Sequence, residues 1–196
     1  MIVFTRPIRG SERGNSASGR VWRLRITGFT LLELLLVVAL IAVLGGLVLG
    51  AGRYARENGR RARASAEITA LAAALEAYRL AEGDYPRTAR SADVLQALIG
   101  RRGPTGETIA TGALLEVARF STAPGADPFL DDATELIDPW GSPYLYAYKT
   151  AGTWTNPSYV LYSAGPNSLA DAVLLTGGFP NRTSPGNEDN LWANPP

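Results

Sequence analysis

Apolar residues form one long stretch near the start of the chain. From Leu34 to Gly52 the sequence has 19 positions without a charge, and counted from Phe29 the stretch reaches 24 residues, interrupted only by Glu33. At about 1.5 Å per residue, a helix of this length crosses a hydrocarbon layer about 30 Å thick. The pattern predicts a transmembrane helix. A secretory signal peptide is the alternative, but its apolar region is shorter, roughly 7–15 residues, and lacks an acidic residue.

The pattern changes after Gly52 to that of an amphipathic helix. Residues 53–82 are rich in Ala, Arg, Leu and Glu, which favour helices. Apolar residues recur there at steps of three and four, at Ala64, Ile68, Leu71, Leu75 and Tyr78. This spacing predicts an apolar stripe that packs against another part of the chain. We expect one helix from about Phe29 to Ala81, or two helices if the glycines between the halves interrupt it.

The remaining pattern predicts a small mixed region after the helix. Gly83 ends the helix, and a short helix is expected from Ser91, as its cap, to Leu98, with Gly100 as its stop. Aromatic alternation over 144–148 and a second run over 158–163 predict an antiparallel hairpin. The fold class is therefore α+β, with a long N-terminal helical spine packed against a small antiparallel β-sheet head.

Composition and charge remove several kinds of chemistry. The chain has 196 residues with no cysteine and no histidine, which excludes disulfides, thiol or imidazole catalysis, and the usual zinc sites. Any metal would need oxygen ligands. The net charge of +1 is uneven, because residues 1–28 hold six arginines and one glutamate, whereas residues 84–196 hold seven basic and twelve acidic residues.

Glu33 is unusual because an ionised side chain inside a membrane span costs about 2.5–3.5 kcal/mol. It stands in the string GFTLLELLLVVALIAVL, which resembles the N-terminal signature of type IV pilins and of type II secretion pseudopilins. The resemblance implies that a prepilin peptidase cleaves after Gly28 and that Phe29 becomes the methylated N-terminus. It also implies an assembly role for Glu33, whose carboxylate would neutralise the N-terminal amine of a neighbouring subunit.

A second motif narrows the resemblance to the pseudopilins. The string DPWGSPY at 138–144, followed by YVLYSAGPN at 159–167, resembles the hallmark of major pseudopilins. The implied fold is pilin-like, with a cleaved leader at 1–28, a transmembrane half of the spine at 29–52 and its amphipathic half at 53–83. The head would comprise residues 84–196, with a variable loop at 100–137 and a C-terminal loop at 164–196.

The same resemblance implies partners and a location. It predicts a structural, non-enzymatic subunit of a type II secretion pseudopilus that polymerises with other pseudopilins and contacts the prepilin peptidase and an inner-membrane assembly platform. The chain would cross the bacterial inner membrane once, with its N-terminus in the cytoplasm and its head in the periplasm. Arginine counts on the two sides of the span are nearly equal, so this orientation comes from the resemblance.

The C-terminal loop is where the resemblance implies a cofactor. In major pseudopilins this loop binds calcium, a cation that accepts irregular sets of oxygen ligands. Asn167 stands where an aspartate is expected, and Asp189 resembles the later acidic ligand. Asn167 and Asp189 are therefore the candidate calcium residues. The same Gly-, Asn- and Pro-rich composition also describes an ordinary loop.

Two other functions remain open on the sequence. A type IV or competence-type pilin, serving in DNA uptake or adhesion, is the nearer alternative, although the pilins often carry a cysteine pair. A membrane-anchored enzyme would need a carboxylate pair drawn from Asp131, Asp132 and Asp138. Nucleic-acid binding through the arginines at 53–63 is not favoured, because only Tyr54 is interleaved among them for stacking and the head is acidic.

Overall fold

The structure is a computed structural model that describes residues 28–150 and 152–193; the side chains of residues 48–51 lie outside the description. Apart from Gly28, the predicted leader also lies outside the described residues. Helix α1 spans Leu31–Glu82 and helix α2 spans Ser91–Leu98. Short 3-10 helices lie at Val117–Arg119 and Pro185–Asn187. One helix thus covers the two halves that the sequence pattern predicted.

Seven short strands form three antiparallel sheets. Strands β1 (Ser121–Thr122) and β2 (Leu136–Ile137) pair with each other, as do β5 (Leu174–Leu175) and β6 (Phe179–Pro180). The third sheet has the order β3–β4–β7, built from Leu145–Ala147, Val160–Ser163 and Leu191–Trp192. The predicted hairpin is confirmed as β3 and β4, and the α+β fold class is confirmed with it. Strands β5, β6 and β7 lie in a region that the sequence suggested only as a loop.

The chain divides into two units, one ending at Gly46 and the other beginning at Leu47. In the first unit, the large apolar side chains of α1 are exposed, from 81% at Leu31 to 41% at Val37. This segment is long and apolar enough to cross a membrane. A core helix of a soluble protein shares that length and composition, but its apolar residues would be buried. The exposure therefore favours a lipid-facing segment over a core helix.

In the second unit, the later part of α1 packs one face against the rest of the chain. The predicted stripe is confirmed, since its five residues are all buried; they are Ala64, Ile68, Leu71, Leu75 and Tyr78. The core is completed by α2 through Leu95 and Leu98 and by the inner face of the sheet through Tyr146 and Leu161. Burial of this apolar surface supplies the main stabilising free energy of the unit.

The short helix α2 begins differently from the prediction. Arg90 occupies the N-cap position and no side chain caps the helix. Ser91 lies inside the first turn, and its hydroxyl donates to the Tyr144 carbonyl at 2.5 Å. The cap prediction was wrong because Ser91 is already inside the helix, where its hydroxyl donates to the Tyr144 carbonyl and accepts no backbone N–H of the first turn. The predicted stop is borne out, because Gly100 has a φ of +81° just beyond the helix.

A buried carboxylate joins α1 to the sheet. Glu67 is 7% exposed on the packed face, where its carboxylate accepts hydrogen bonds from Tyr144 Oη at 2.5 Å and Arg63 Nε at 2.7 Å. Burial, followed by the bond to this carboxylate, raises the pKa of Tyr144, so the phenol stays a donor. Arg63 also donates to Ser121 Oγ at 3.0 Å. The helix, β1 and the residue preceding β3 therefore share one ionic hydrogen-bond network.

A second acidic centre lies where α1 ends. Asp84 accepts hydrogen bonds from Tyr148 Oη at 2.8 Å, Lys149 Nζ at 3.0 Å and Arg87 Nη2 at 2.8 Å. Burial pushes the pKa of Asp84 upward, but these hydrogen bonds outweigh burial and lower the pKa to about 2. Because this lies below the ordinary value of 3.8, the carboxylate stabilises the fold near neutral pH, and the contribution is lost as the pH falls toward 2.

We predict that Glu67→Gln weakens the attachment of α1 to the sheet. The substitution keeps the shape but removes the charge that two donors share, so the free energy of unfolding should fall by about 1.5–3 kcal/mol. Urea unfolding of the full-length protein in detergent micelles measures this change. The matched control is Glu116→Gln, whose side chain is 66% exposed, with an expected effect within about 0.5 kcal/mol. Equal losses for the two variants would contradict the role of Glu67.

Candidate assembly and processing sites

The start of α1 brings together the residues of the predicted processing and assembly site. Gly28 and Phe29 precede the helix and are exposed, Phe29 by 70%. Glu33 lies in the first turn, where its carboxylate accepts hydrogen bonds from the backbone N–H and the hydroxyl of Thr30, both at 2.9 Å. Thr30 Oγ1 in turn accepts from the Glu33 N–H at 3.2 Å.

This reciprocal arrangement is a capping box, which satisfies backbone donors that a helix leaves free at its N-terminus. The resemblance predicts Glu33 as a partner for another subunit, whereas the role of Thr30 was not predicted from the sequence. The signal was present as the spacing T-x-x-E before an apolar run. Within a single chain the carboxylate therefore has a local partner, and it remains on the exposed surface of the helix.

The DPWGSPY segment is organised by its first residue. Asp138 is 2% exposed, and its Oδ1 accepts hydrogen bonds from the backbone N–H groups of Trp140 at 3.0 Å and Ser142 at 2.9 Å. Its Oδ2 accepts from Ser163 Oγ on β4 at 2.6 Å. The indole of Trp140 donates to Glu57 on α1 at 3.2 Å. The motif thus forms a turn that ties β4 and the helix together.

The contacts of Asp131, Asp132 and Asp138 argue against their acting as a catalytic pair of carboxylates. Asp138 is buried with both oxygens occupied in holding the turn. Asp131 and Asp132 are exposed on the β1–β2 loop, where Asp131 accepts from the Ala133 N–H and Asp132 lies 3.5 Å from Arg101. A carboxylate pair for general acid and base catalysis needs one acid and one base facing a common cleft. These acids serve as turn and surface groups instead.

Asn167 and Asp189, 22 positions apart in the sequence, meet in the C-terminal region. The Asn167 side chain donates through Nδ2 to Asp189 Oδ1 at 2.5 Å, and its backbone N–H donates to Asp189 Oδ2 at 3.2 Å. Asn167 Oδ1 accepts from the Leu169 N–H at 2.7 Å, which fixes the orientation of the amide. Gly165, with a φ of +66°, allows the close approach, because a Cβ there would lie 2.6 Å from the Asp189 carbonyl oxygen.

Asn187 organises the same region and was missed by the sequence analysis. It is 1% exposed, accepts from the Asp171 N–H at 3.0 Å and donates to the carbonyls of Asp171 and Asn181 at 2.7 and 2.8 Å. Nothing in the sequence separates this asparagine from its neighbours in a loop rich in Asn, Gly and Pro. Its role depends on which distant carbonyls the fold brings to it.

The side chains of this region are compatible with a cation that prefers oxygen ligands, such as calcium. Asp189 and Asp171 supply carboxylates, with Asp171 Oδ2 only 2.4 Å from where a Cβ on Gly186 would lie. The buried Asn190 Oδ1 has no hydrogen-bond partner within the part of the chain that the structure describes. Among residues 28–150 and 152–193, no three acidic side chains cluster closely enough to hold a metal. A calcium ion here would therefore rely on carbonyl and amide oxygens as well as carboxylates.

The fold and these sites define a pilin-like subunit, in which a helix with an exposed apolar start carries a small antiparallel head. A family model described as type II secretion system (T2SS), protein G, matches residues 54–173, more than half of the chain. The chain belongs to this family, whose members are structural pseudopilins rather than enzymes. The match includes Asn167 but not Gly28, Phe29, Glu33 or Asp189.

Curated relatives agree with this assignment. A type II secretion system core protein G of Pseudomonas aeruginosa is 30% identical over 164 residues, which cover 84% of this chain and 96% of that protein. The core protein G of Escherichia coli K12 is 30% identical over 140 residues, covering 71% and 81%. That of Pectobacterium carotovorum is 31% identical over 162 residues, covering 81% and 88%. No solved structure matches the chain.

Proposed function

We propose that the chain is a structural subunit of a type II secretion pseudopilus, assembling with other pseudopilins as part of the machinery that exports proteins. The observation that carries this proposal is the exposed apolar start of α1 in a member of the protein G family. Such a surface needs lipid or the apolar helices of other subunits around it. The membrane supplies lipid around this surface before assembly, and a polymer of subunits can supply the apolar helices afterwards.

The family match favours this role over the type IV or competence-type pilin considered on the sequence. The proposal includes a single membrane pass with the N-terminus in the cytoplasm and the head in the periplasm. It also includes a prepilin peptidase and an inner-membrane assembly platform as partners. Cleavage is proposed between Gly28 and Phe29, since both residues precede the first helical turn and are exposed. An extended, accessible backbone is what a peptidase requires.

Glu33 is proposed to change partners during assembly. Among the described residues, its carboxylate accepts hydrogen bonds from the backbone N–H and the hydroxyl of Thr30, which are neutral donors. The amine created at Phe29 by cleavage would be a charged donor, and charge-assisted hydrogen bonds are about twice as strong as neutral ones. In an apolar environment an uncompensated charge is costly, so pairing between subunits would favour only the register in which both charges are satisfied.

We predict that the protein extracted from membranes begins at Phe29 and carries an N-methyl group. Intact-mass spectrometry and N-terminal peptide sequencing measure this directly. Gly28→Leu should leave the leader attached because a larger side chain replaces the glycine before the cut. As a control, Gly59→Ala in α1 should be processed normally. A mature terminus other than Phe29 would contradict the processing proposal.

We predict that Glu33→Ala is processed but fails to enter filaments, whereas Thr30→Ala still assembles. Both substitutions destroy the capping box, but only the first removes the carboxylate that would meet a neighbouring amine. Processing is read from the mass, assembly from sheared and sedimented pseudopili, and function from secretion by the complemented host. If the two variants gave the same yield of filaments, the carboxylate of Glu33 would have no role in assembly beyond the capping box.

We further propose that the Asn167–Asp189 region takes up calcium. The support is the direct contact of Asn167 with Asp189, together with the buried Asn190 Oδ1, which follows Asp189 in the chain and has no hydrogen-bond partner among the described residues. Asp189 would supply the anionic ligand, whereas the amide of Asn167 donates to Asp189 and would have to turn for its oxygen to face the ion. A bound cation would neutralise the charge of Asp189 and keep the segments that carry Asn167 and Asp189 together.

We predict that calcium raises the melting temperature of the full-length protein in detergent, relative to the same protein in EGTA. At a hundredfold excess over Kd the stabilisation is about 2.7 kcal/mol, which corresponds to roughly 5 °C or more for a protein of this size. Asp189→Asn should abolish the response and Asp132→Asn, on a different loop, should keep it. An unchanged melting temperature for the unmodified protein would contradict the calcium proposal.

A further inference from the structure

One face of α1 carries an arginine row just before the helix reaches the core. Arg53, Arg56 and Arg60 follow one another at steps of three and four residues, so they share one face of the helix. Continuing the same steps leads to the buried Ala64 and Glu67. The row is therefore on the side of the helix that, further along, packs against the sheet region.

The side chains of this row are exposed and have no ion-pair partner among the described residues. The neighbouring charges are already engaged within the chain. Glu57 pairs with Arg61 at 3.3 Å, and Arg63 pairs with the buried Glu67 at 2.7 Å. Three cations thus remain available to an external anionic group.

An acidic loop of opposite charge lies elsewhere on the same compact unit. The connection between β1 and β2, residues 123–135, holds four acidic residues and no basic residue. Asp127, Asp131 and Asp132 are exposed, and Asp132 has a side-chain exposure of 71%. The tip also exposes Phe129 by 53% and Leu130 by 87%.

The structure holds this loop in one shape. Gln96, buried on α2, donates to the Pro128 carbonyl at 2.9 Å. Asp127 and Asp131 each accept a hydrogen bond from the backbone two residues on, both at 2.9 Å. The loop presents its acidic and apolar side chains without having to be ordered first, which lowers the entropic cost of binding.

No ion pair joins the acidic loop to the arginine row among the described residues of one chain. The tip of the loop is held on α2, where Gln96 and Arg101 donate to the Pro128 carbonyl at 2.9 and 3.5 Å. The row precedes Ala64, the first buried residue of the helix stripe. Both charged surfaces are therefore available to a second copy of the chain.

We propose that the acidic loop of one subunit binds the arginine row of a neighbouring subunit in the filament. This inference rests on the proposed polymer and names one of its contacts. Opposite charges supply selectivity for the correct register, and Phe129 and Leu130 supply apolar surface to bury beside the arginine stems. Anionic lipid headgroups could also attract the row because it follows the apolar segment, but they would leave the exposed aromatic and leucine of the loop uncovered.

Charge reversal in the full-length chain tests the contact. The first variant is Arg56→Glu with Arg60→Glu, and the second is Asp132→Arg with Glu135→Arg. Neither acid caps the backbone of the loop, and the exposed 3.5 Å contact of Asp132 with Arg101 contributes little to stability. Each should lower the yield of sheared pseudopili about tenfold, since attraction is replaced by repulsion. Combining all four substitutions should restore most of the yield. Arg119→Glu, at a side chain 76% exposed, is the control and should assemble normally.

The outcomes separate the inference from the function on which it rests. Failure of the unmodified chain to form pseudopili in the complemented host would contradict the proposed function. Normal filaments from the unmodified chain, with no restoration by the combined variant, would contradict only the contact and would favour a lipid partner for the row. Unchanged yield after either reversal would also contradict the contact. Melting temperatures close to that of the unmodified chain show that each variant is folded.

Cross-linking provides an independent test, because the chain has no cysteine of its own. Arg60→Cys combined with Asp132→Cys should give dimers and higher oligomers when filaments are treated with a short bis-maleimide. A link within one chain would leave the mass of a monomer. The pair Arg119→Cys with Asp132→Cys is the control and should remain monomeric. A monomeric test pair, or an equal ladder from the control pair, would contradict the contact.

Discussion

The structure depends on one constraint: a single helix must satisfy two different surroundings. Apart from Glu33, the first half of α1 is apolar on every side, and its side chains up to Leu47 are exposed. The second half is apolar along one row, which is buried by α2 and the sheet. The hydrophobic effect therefore favours lipid or other apolar helices around the first half. It favours packing of the second half against the folded head.

Buried and half-buried carboxylates specify how the head is attached to this helix. Glu67 joins α1 to Tyr144, Asp138 joins the DPWGSPY turn to β4, and Asp84 collects donors where the helix ends. Each carboxylate receives two or more donors, so burial does not leave a charge without partners. Apolar packing would permit several similar arrangements, whereas these directional bonds permit few.

Charge, like hydropathy, changes along the chain from the start of α1 to the head. Arginines are concentrated just beyond the apolar segment, and acidic residues predominate in residues 84–196. For a solitary protein this separation has no clear use, because exposed ion pairs contribute little to stability. In the proposed polymer, this separation would allow the basic part of one chain to meet the acidic part of another. The proposed subunit contact follows from this separation.

The sequence by itself determined the features that depend on neighbours along the chain. The 3.6-residue period of α1, its stop at Gly83 and the alternation of β3 and β4 are local, so they were predicted correctly. Only the tertiary structure decided the cap of α2, the partners of Glu67 and Asn187, the addition of β7 to the sheet, and the meeting of Asn167 with Asp189. These contacts join residues far apart in the chain, and their free energy depends on burial and direction, which no local pattern encodes.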